Sequence, residues 1–244
     1  MILSADDGCT TPDELAAAAL TLAQCFSAGA TMWCVSPQWP AHGRHLAVEF
    51  VHPVIVGKRA LPSVHVDDPD PAGALRLLAR PGDVLLAVST AEDATTIDVL
   101  RRAEAWGLTR VWLGAGPRPS LPLAEQVVWA ESAEPGRAAR SGDVVILYHL
   151  LWELTHVVFE HPGLLEGDEV GARPGDRCEA GCITCSDQGD LAEVRATRGD
   201  GLADVVVRGR PEVVDISLVE GAAPYDLIVL HAGVAIAGVG ESFP

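Results

Sequence analysis

Val84-Leu85-Leu86-Ala87-Val88, followed at once by Ser89-Thr90-Ala91-Glu92-Asp93, sets five apolar residues directly against a short polar turn. An apolar run without alternation is what a strand buried on both faces needs, and both faces are buried when helices cover a parallel sheet. The same unit recurs on either side. Upstream, Thr31–Val35 is a short apolar run ending in the loop Ser36-Pro37-Gln38-Trp39-Pro40, with a helix expected from Ala41 to Val51 and a short strand at Val64–Val66. A helix from Pro71 to Ala79 closes at Pro81-Gly82 and leads into the Val84 strand. Downstream, a helix running through Trp106 precedes a strand at Arg110–Leu113, with a last strand at Val127–Ala130 and a long closing helix from Asp143 to Phe159.

Ahead of all these, Thr11-Pro12-Asp13-Glu14 has the form of a capping box with Pro at the first helical position. Leu15, Ala18, Ala19, Leu22 and Phe26 then recur at helical spacing, and Gly29 marks the end. Strands alternating with helices predict an α/β domain with a doubly wound parallel sheet, whose ligands sit at the carboxyl ends of the strands.

The 244 residues are 48% hydrophobic, enough to bury a full core. Their formal charge of -17 lacks the basic footprint that a phosphodiester backbone requires, so a nucleic acid is not the expected partner. Neither a secretory leader nor an apolar run long enough to cross a bilayer is evident, which predicts a cytoplasmic protein with reduced thiols and no membrane association. In that compartment clustered cysteines point to metal binding or catalysis. Cys9, Cys25 and Cys34 stand singly and read as small buried hydrophobes.

Two segments share one pattern: His45-x3-Glu49-x2-His52 and His149-x3-Glu153-x2-His156. On a helix, positions i, i+4 and i+7 form one stripe, so each segment can present two imidazoles and a carboxylate to one point. His45, Glu49, His149, Glu153 and His156 are therefore candidate ligands for zinc or another divalent metal. Pro53 disfavours helical geometry at His52 and takes that residue off the stripe.

Residues 165–177 have the Gly, Pro and charge content of a linker between a first domain at 1–164 and a second at 178–244. Beyond it the hydrophobic period falls to two. Leu191–Thr197, Ala203–Arg208, Glu212–Leu218 and Leu227–His231 are expected strands, and so small an all-β unit is most simply a barrel. At its start Cys178, Cys182 and Cys185 have the spacing of a radical-SAM cluster, but only 59 residues follow, too few for the barrel that chemistry needs. A closed zinc site would want a fourth ligand, and His231 is the only histidine after the linker.

The first domain resembles the sugar isomerase (SIS) fold, and within it the phosphoheptose isomerases, over about residues 12–162. The resemblance implies zinc held by His45, Glu49 and His149, a homodimer, and a phosphate-binding loop at Ser89 and Thr90. Glu92 and Asp93 depart from that loop by placing carboxylates where hydroxyls belong, and Ser36-Pro37-Gln38-Trp39-Pro40 replaces the family's Gly-rich loop. The tail resembles the HypC/HupF hydrogenase maturation family in Cys182-Ile-Thr-Cys185 and in Tyr225-Asp-Leu-Ile-Val-Leu-His231-Ala-Gly-Val-Ala-Ile236. That likeness implies an OB-like barrel acting as a chaperone. With Cys182 or Cys185 and His231, and Cys178 nearby, it would carry an Fe(CN)2CO unit to the large-subunit precursor of [NiFe]-hydrogenase alongside other maturation proteins.

Overall fold

The structure, a computed structural model, describes residues 10–131, 142–166 and 189–239. The chain divides into two compact units, the larger lying within residues 1–166 and the smaller formed mainly by the residues beyond.

In the larger unit the elements run α1 (Pro12–Ser27), β1 (Met32–Val35), α2 (Pro40–Val51), β2 (Ser63–His65), α3 (Pro71–Leu78), β3 (Val84–Ser89), α4 (Ala94–Ala105), β4 (Thr109–Ala115), β5 (Gln126–Ala130), α5 (Asp143–Glu160) and α6 (Gly163–Glu166). All five strands are parallel, in the order β2-β1-β3-β4-β5. The expected helices and strands of this region are found within a few residues of their expected limits. The short α6 begins at Gly163 and takes in Leu165 and Glu166, the first two residues of the expected linker.

The capping box forms as its residues predict. The Thr11 hydroxyl accepts from the Glu14 N–H at 3.2 Å, and the Glu14 carboxylate accepts from the Thr11 N–H at 2.9 Å. Gly29, at φ +90°, turns the chain from α1 towards β1.

Right-handed crossovers decide which face each helix covers. The step from β1 to β2 runs one way along the sheet and the steps from β2 to β3 and from β3 to β4 run the other way. Hence α2 lies on the opposite face from α3 and α4. The observed core agrees: Leu46, Ala47 and Phe50 of α2 join α1 and α5 over Met32, Cys34, Val84, Leu86, Val88, Val111 and Leu113. Trp33, Leu85, Ala87, Trp112 and Trp129, one residue out of phase, are also buried. This is why β3 carries no polar residue before Ser89.

Burial pushes the Cys34 thiol up to about 12, despite its contact with the Ser63 hydroxyl. Iodoacetamide, which needs thiolate, is expected to leave Cys34 unmodified in the folded protein and to label it once urea unfolds the chain. Peptide mass spectrometry reads this directly, and fast labelling of Cys34 in the native protein would show the strand is not buried as described.

The smaller unit is a closed barrel of β6 (Asp190–Thr197), β7 (Leu202–Val207), β8 (Arg210–Asp215), β9 (Leu227–His231) and β10 (Val234–Val239). Its order is β10-β8-β7-β6-β9, closed between β9 and β10. All neighbours are antiparallel except β8 and β10, which meet in parallel. The expected strands stop at His231 and omit β10, because the two alanines and the glycine of Val-Ala-Ile-Ala-Gly-Val dilute its β-branched residues, and its pairing with β9 and β8 defines it. It also carried β8 three residues too far. Ser217 donates its N–H to the Asp215 carboxylate at 2.7 Å, a side-chain turn that ends the strand.

A candidate divalent metal centre between two helices

α2 begins with Pro40 at its first position, after the loop that leaves β1. The Ser36 hydroxyl ties that loop down, lying 2.8 Å from the Trp39 carbonyl and 3.1 Å from the Val88 carbonyl of β3. Position and direction of α2 are thus set by the sheet. His45 and Glu49, one helical turn apart, face His149 of α5.

The three side chains converge. His45 Nε2 is 3.3 Å from His149 Nε2 and 3.3 Å from Glu49 Oε1, and the three ligand atoms all lie within 4.8 Å of one another. Tetrahedral zinc with bonds of about 2.0–2.1 Å has ligand–ligand edges of roughly 3.3 Å. Two of the three separations already have that length.

His149 is prepared for the role. Its Nδ1 lies 2.7 Å from the carbonyl of Val145, one turn back on α5, and a carbonyl only accepts, so Nδ1 holds a proton there. In the neutral ring Nε2 then offers its lone pair to the shared point, the usual outer-shell arrangement of a metal-binding imidazole.

A second bond fixes the two helices in register. The indole N–H of Trp152 donates to the Glu49 carbonyl at 2.9 Å. That carbonyl belongs to the last turn of α2, where no further helical N–H can reach it. Trp152→Phe is expected to keep the aromatic packing, lose this bond and weaken zinc binding about tenfold to hundredfold. Competition with a chelating dye measures the change, and unaltered affinity would show that Trp152 plays no part in placing the ligands.

The surroundings are aromatic and partly buried. The Tyr148 ring lies tilted against those of His42, His45 and His149, and its hydroxyl lies 3.4 Å from His42 Nδ1. Burial, with the nearby Glu49 carboxylate, pushes the Tyr148 phenol up. Burial, with the His45 ring, pulls the His42 imidazole down. Both groups are thereby held neutral beside the cluster.

The remaining candidates go elsewhere. Glu153 accepts from Lys58 Nζ at 3.2 Å, and the same ammonium reaches Glu160 at 2.9 Å. His156 is buried against Trp152 and its two nitrogens meet the carbonyls of Trp152 at 2.9 Å and Arg59 at 3.0 Å. His52 is the residue after α2, at φ -126° and ψ 69°, off the helical stripe. Cys178, Cys182 and Cys185 lie outside the described residues, as does Cys9. His231 ends β9 at the Ala232-Gly233 turn.

Ser89 and Thr90 do not stand open. The Ser89 hydroxyl is buried, donating to the Thr90 carbonyl at 2.9 Å and accepting from the Trp112 indole at 3.1 Å. The Thr90 N–H is taken by Gln38 Oε1 at 3.0 Å.

A cavity of about 290 Å³ lies at the carboxyl ends of β1 and β2, bounded by Ser36, Pro40, His65, Asp67, Asp68 and Thr95 among others. The sequence places His65 and Val66 in a short strand but marks no residue of the His65-Val66-Asp67-Asp68 stretch as a site residue. Its signal was the topology itself: sheet order reverses between β1 and β3, and ligands of open α/β sheets bind where it does. Gly43 makes room for the His65 ring, since a Cβ there would come within 2.5 Å of its Cδ2.

A scan against protein-family models and a search of curated proteins each match nothing. Among solved structures, a phosphoheptose isomerase from Francisella tularensis is similar at a TM-score of 0.51 and 12% identity, over 60% of this chain and 86% of that one. A phosphoheptose isomerase from Neisseria gonorrhoeae is similar at 0.49 and 18% identity, over 60% and 87%. The sugar isomerase domain of an RpiR transcription factor from Sphaerobacter thermophilus gives 0.48 and 14%, over 64% and 83%. The α/β unit thus has an SIS-like, phosphosugar-isomerase-like fold. No helix among the described residues is long and apolar enough to cross a membrane.

Proposed function

We propose that the α/β unit is a divalent-metal-dependent isomerase or lyase of the SIS type, with His45, Glu49 and His149 as its metal ligands. The convergence of the three donors from α2 and α5, at the edge lengths of a zinc tetrahedron, carries the reading. Three protein ligands leave a position open, as catalytic zinc sites do. A bound ion would supply Lewis-acid polarisation of a substrate carbonyl or hydroxyl. The likeness to phosphoheptose isomerases adds support through the fold they share.

Around that position the chain's own groups divide the work. Glu49 balances charge, His149 is oriented through Val145, and Tyr148 and His42 stand as neutral hydrogen-bonding groups for hydroxyls of a substrate. Metal analysis of the purified chain, followed by aldose–ketose isomerisation assays before and after chelation, tests the reading. Activity indifferent to chelation would sink it.

A second reading concerns the barrel. Counting its strands from one to five, the order is 1-2-3-5-4, closing on 1, with strands 3 and 5 parallel, which is the Greek-key arrangement of OB-type barrels. Asp190, five positions after Cys185 in sequence, pairs with Leu230, the neighbour of His231. Both points support an OB-like barrel of the HypC/HupF kind; on this reading it acts as a chaperone in the cytoplasm, its cargo an Fe(CN)2CO unit, serving a hydrogenase large-subunit precursor with other maturation proteins, while the α/β unit forms a homodimer. Soft thiolates suit low-valent iron, and a site of few protein ligands suits release. Infrared spectra of the anaerobically purified chain should then show CO and cyanide bands that Cys182→Ala, Cys185→Ala and His231→Ala remove. Hydrogenase activity unaffected by all three substitutions together would reject this reading.

A further inference from the structure

The cavity beside Asp67 and Asp68 lies where an α/β sheet binds ligands, yet no Lys or Arg is among its lining residues. Asp67 accepts from Arg44 through Oδ2 at 2.7 Å, and Asp68 accepts from the Asp70 N–H through Oδ1 at 2.8 Å. Each carboxylate keeps a second oxygen that can accept from a hydroxyl or an ammonium group. Burial lowers the basicity of the His65 imidazole, so that this side adds no cation at neutral pH.

An anion would be met here by the N–H groups and small hydroxyls at the start of α4. The chain has engaged those of Ser89, Thr90 and Thr96 itself. Asp93 Oδ2 accepts from the Thr96 N–H at 3.0 Å and from the Thr96 hydroxyl at 2.5 Å. Gln38 takes the Thr90 N–H, and the Ser89 hydroxyl is spent between Thr90 and Trp112. The Asp93 carboxylate thus caps α4 two residues before Thr95, which lines the cavity, and Glu92 beside it is exposed.

We propose that this cavity takes a polyhydroxylated ligand that carries no phosphate, and that Asp93 is the residue that excludes a phosphate ester. The proposal rests on the reading of the α/β unit as a ligand-binding unit of the SIS type, and it does not require the metal ion. It parts this chain from its phosphosugar-isomerase neighbours in substrate class while leaving the fold in common.

Fructose and fructose 6-phosphate, one sugar with and without the phosphate, are the probes. Backbone-amide NMR of the full chain follows both in wild type and in Asp93→Ser, which keeps a side-chain cap on α4 and removes the charge. In wild type fructose should shift the amides of Ser36, Asp67 and Asp68 saturably, with fructose 6-phosphate binding on the order of tenfold more weakly. In Asp93→Ser that gap should close or reverse, because a like charge has gone. Glu92→Ser, outside the cap, gives the same direction at smaller size should Asp93→Ser fold poorly.

Three results would overturn the proposal: fructose 6-phosphate binding wild type as tightly as fructose, a gap unchanged in both variants, or amides unresponsive to either sugar. Zinc content of the same samples separates this inference from the metal reading. A silent cavity in zinc-loaded protein sinks this inference alone, and fructose binding by protein that takes up no zinc sinks the metal centre alone.

Discussion

With Glu49→Gln and His149→Ala combined, the protein is expected to leave purification with no more than about a hundredth of the wild-type affinity for zinc. Loss of an outer-shell partner alone costs about tenfold to hundredfold, and here two of three direct donors go. His45 alone is left of the set, and a single imidazole does not hold a divalent ion against a chelator. The fold should survive. Glu49→Gln is nearly isosteric at a side chain that is partly open to solvent, and the Trp152 indole bonds the Glu49 backbone, which the substitution leaves in place. His149 is exposed, so its truncation opens no core cavity.

His42→Ala supplies the control, because it removes a neighbouring imidazole that is not among the three converging donors. Zinc retained by His42→Ala and lost from the double variant assigns the ligands by position. Equal loss in both would mean that the ion follows the packing around Tyr148 instead. Equal retention in both would place the ion elsewhere in the chain.

The larger unit was legible because its signals are local. The apolar runs at Thr31–Val35 and Val84–Val88 need no tertiary information to be read as buried strands, and Thr11-Pro12-Asp13-Glu14 names its own helix start. The ligand set was legible in part. The i, i+4 spacing put His45 and Glu49 on one face, but the same rule put Glu153 and His156 beside His149, and it could not show that Lys58, nearly a hundred residues earlier, draws Glu153 away. Nor could it show that Arg59 offers a carbonyl to His156. Long-range partners decide which polar residues of a helix remain available, and spacing carries no record of them. The same limit hid His65, Asp67 and Asp68, which acquire meaning only when the sheet order is known.

Gly114→Ala is expected to destabilise the α/β unit by about 3 kcal/mol or more, through overpacking that has no outlet. Gly114 sits inside β4, opposite Ser89 of β3. A Cβ there would drive into the Ser89 backbone carbonyl and into the six-membered ring of Trp129, both well inside van der Waals contact. Neither can yield cheaply. The carbonyl belongs to the central strand pair, and the Trp129 indole is fully buried, packed edge-on against Trp112 and donating its N–H to the Gly116 carbonyl at 2.7 Å. Trp112 in turn donates to the Ser89 hydroxyl, so the strain reaches the carboxyl end of β3. All six tryptophans precede residue 153, so indole fluorescence during urea unfolding reports on this part of the chain. Trp129→Leu added to Gly114→Ala should restore only part of the loss, since it relieves the indole contact and leaves the carbonyl one. Full recovery in the double variant would assign the whole penalty to the side chain, and a Gly114→Ala protein as stable as wild type would mean that β3 and β4 do not approach as closely as described.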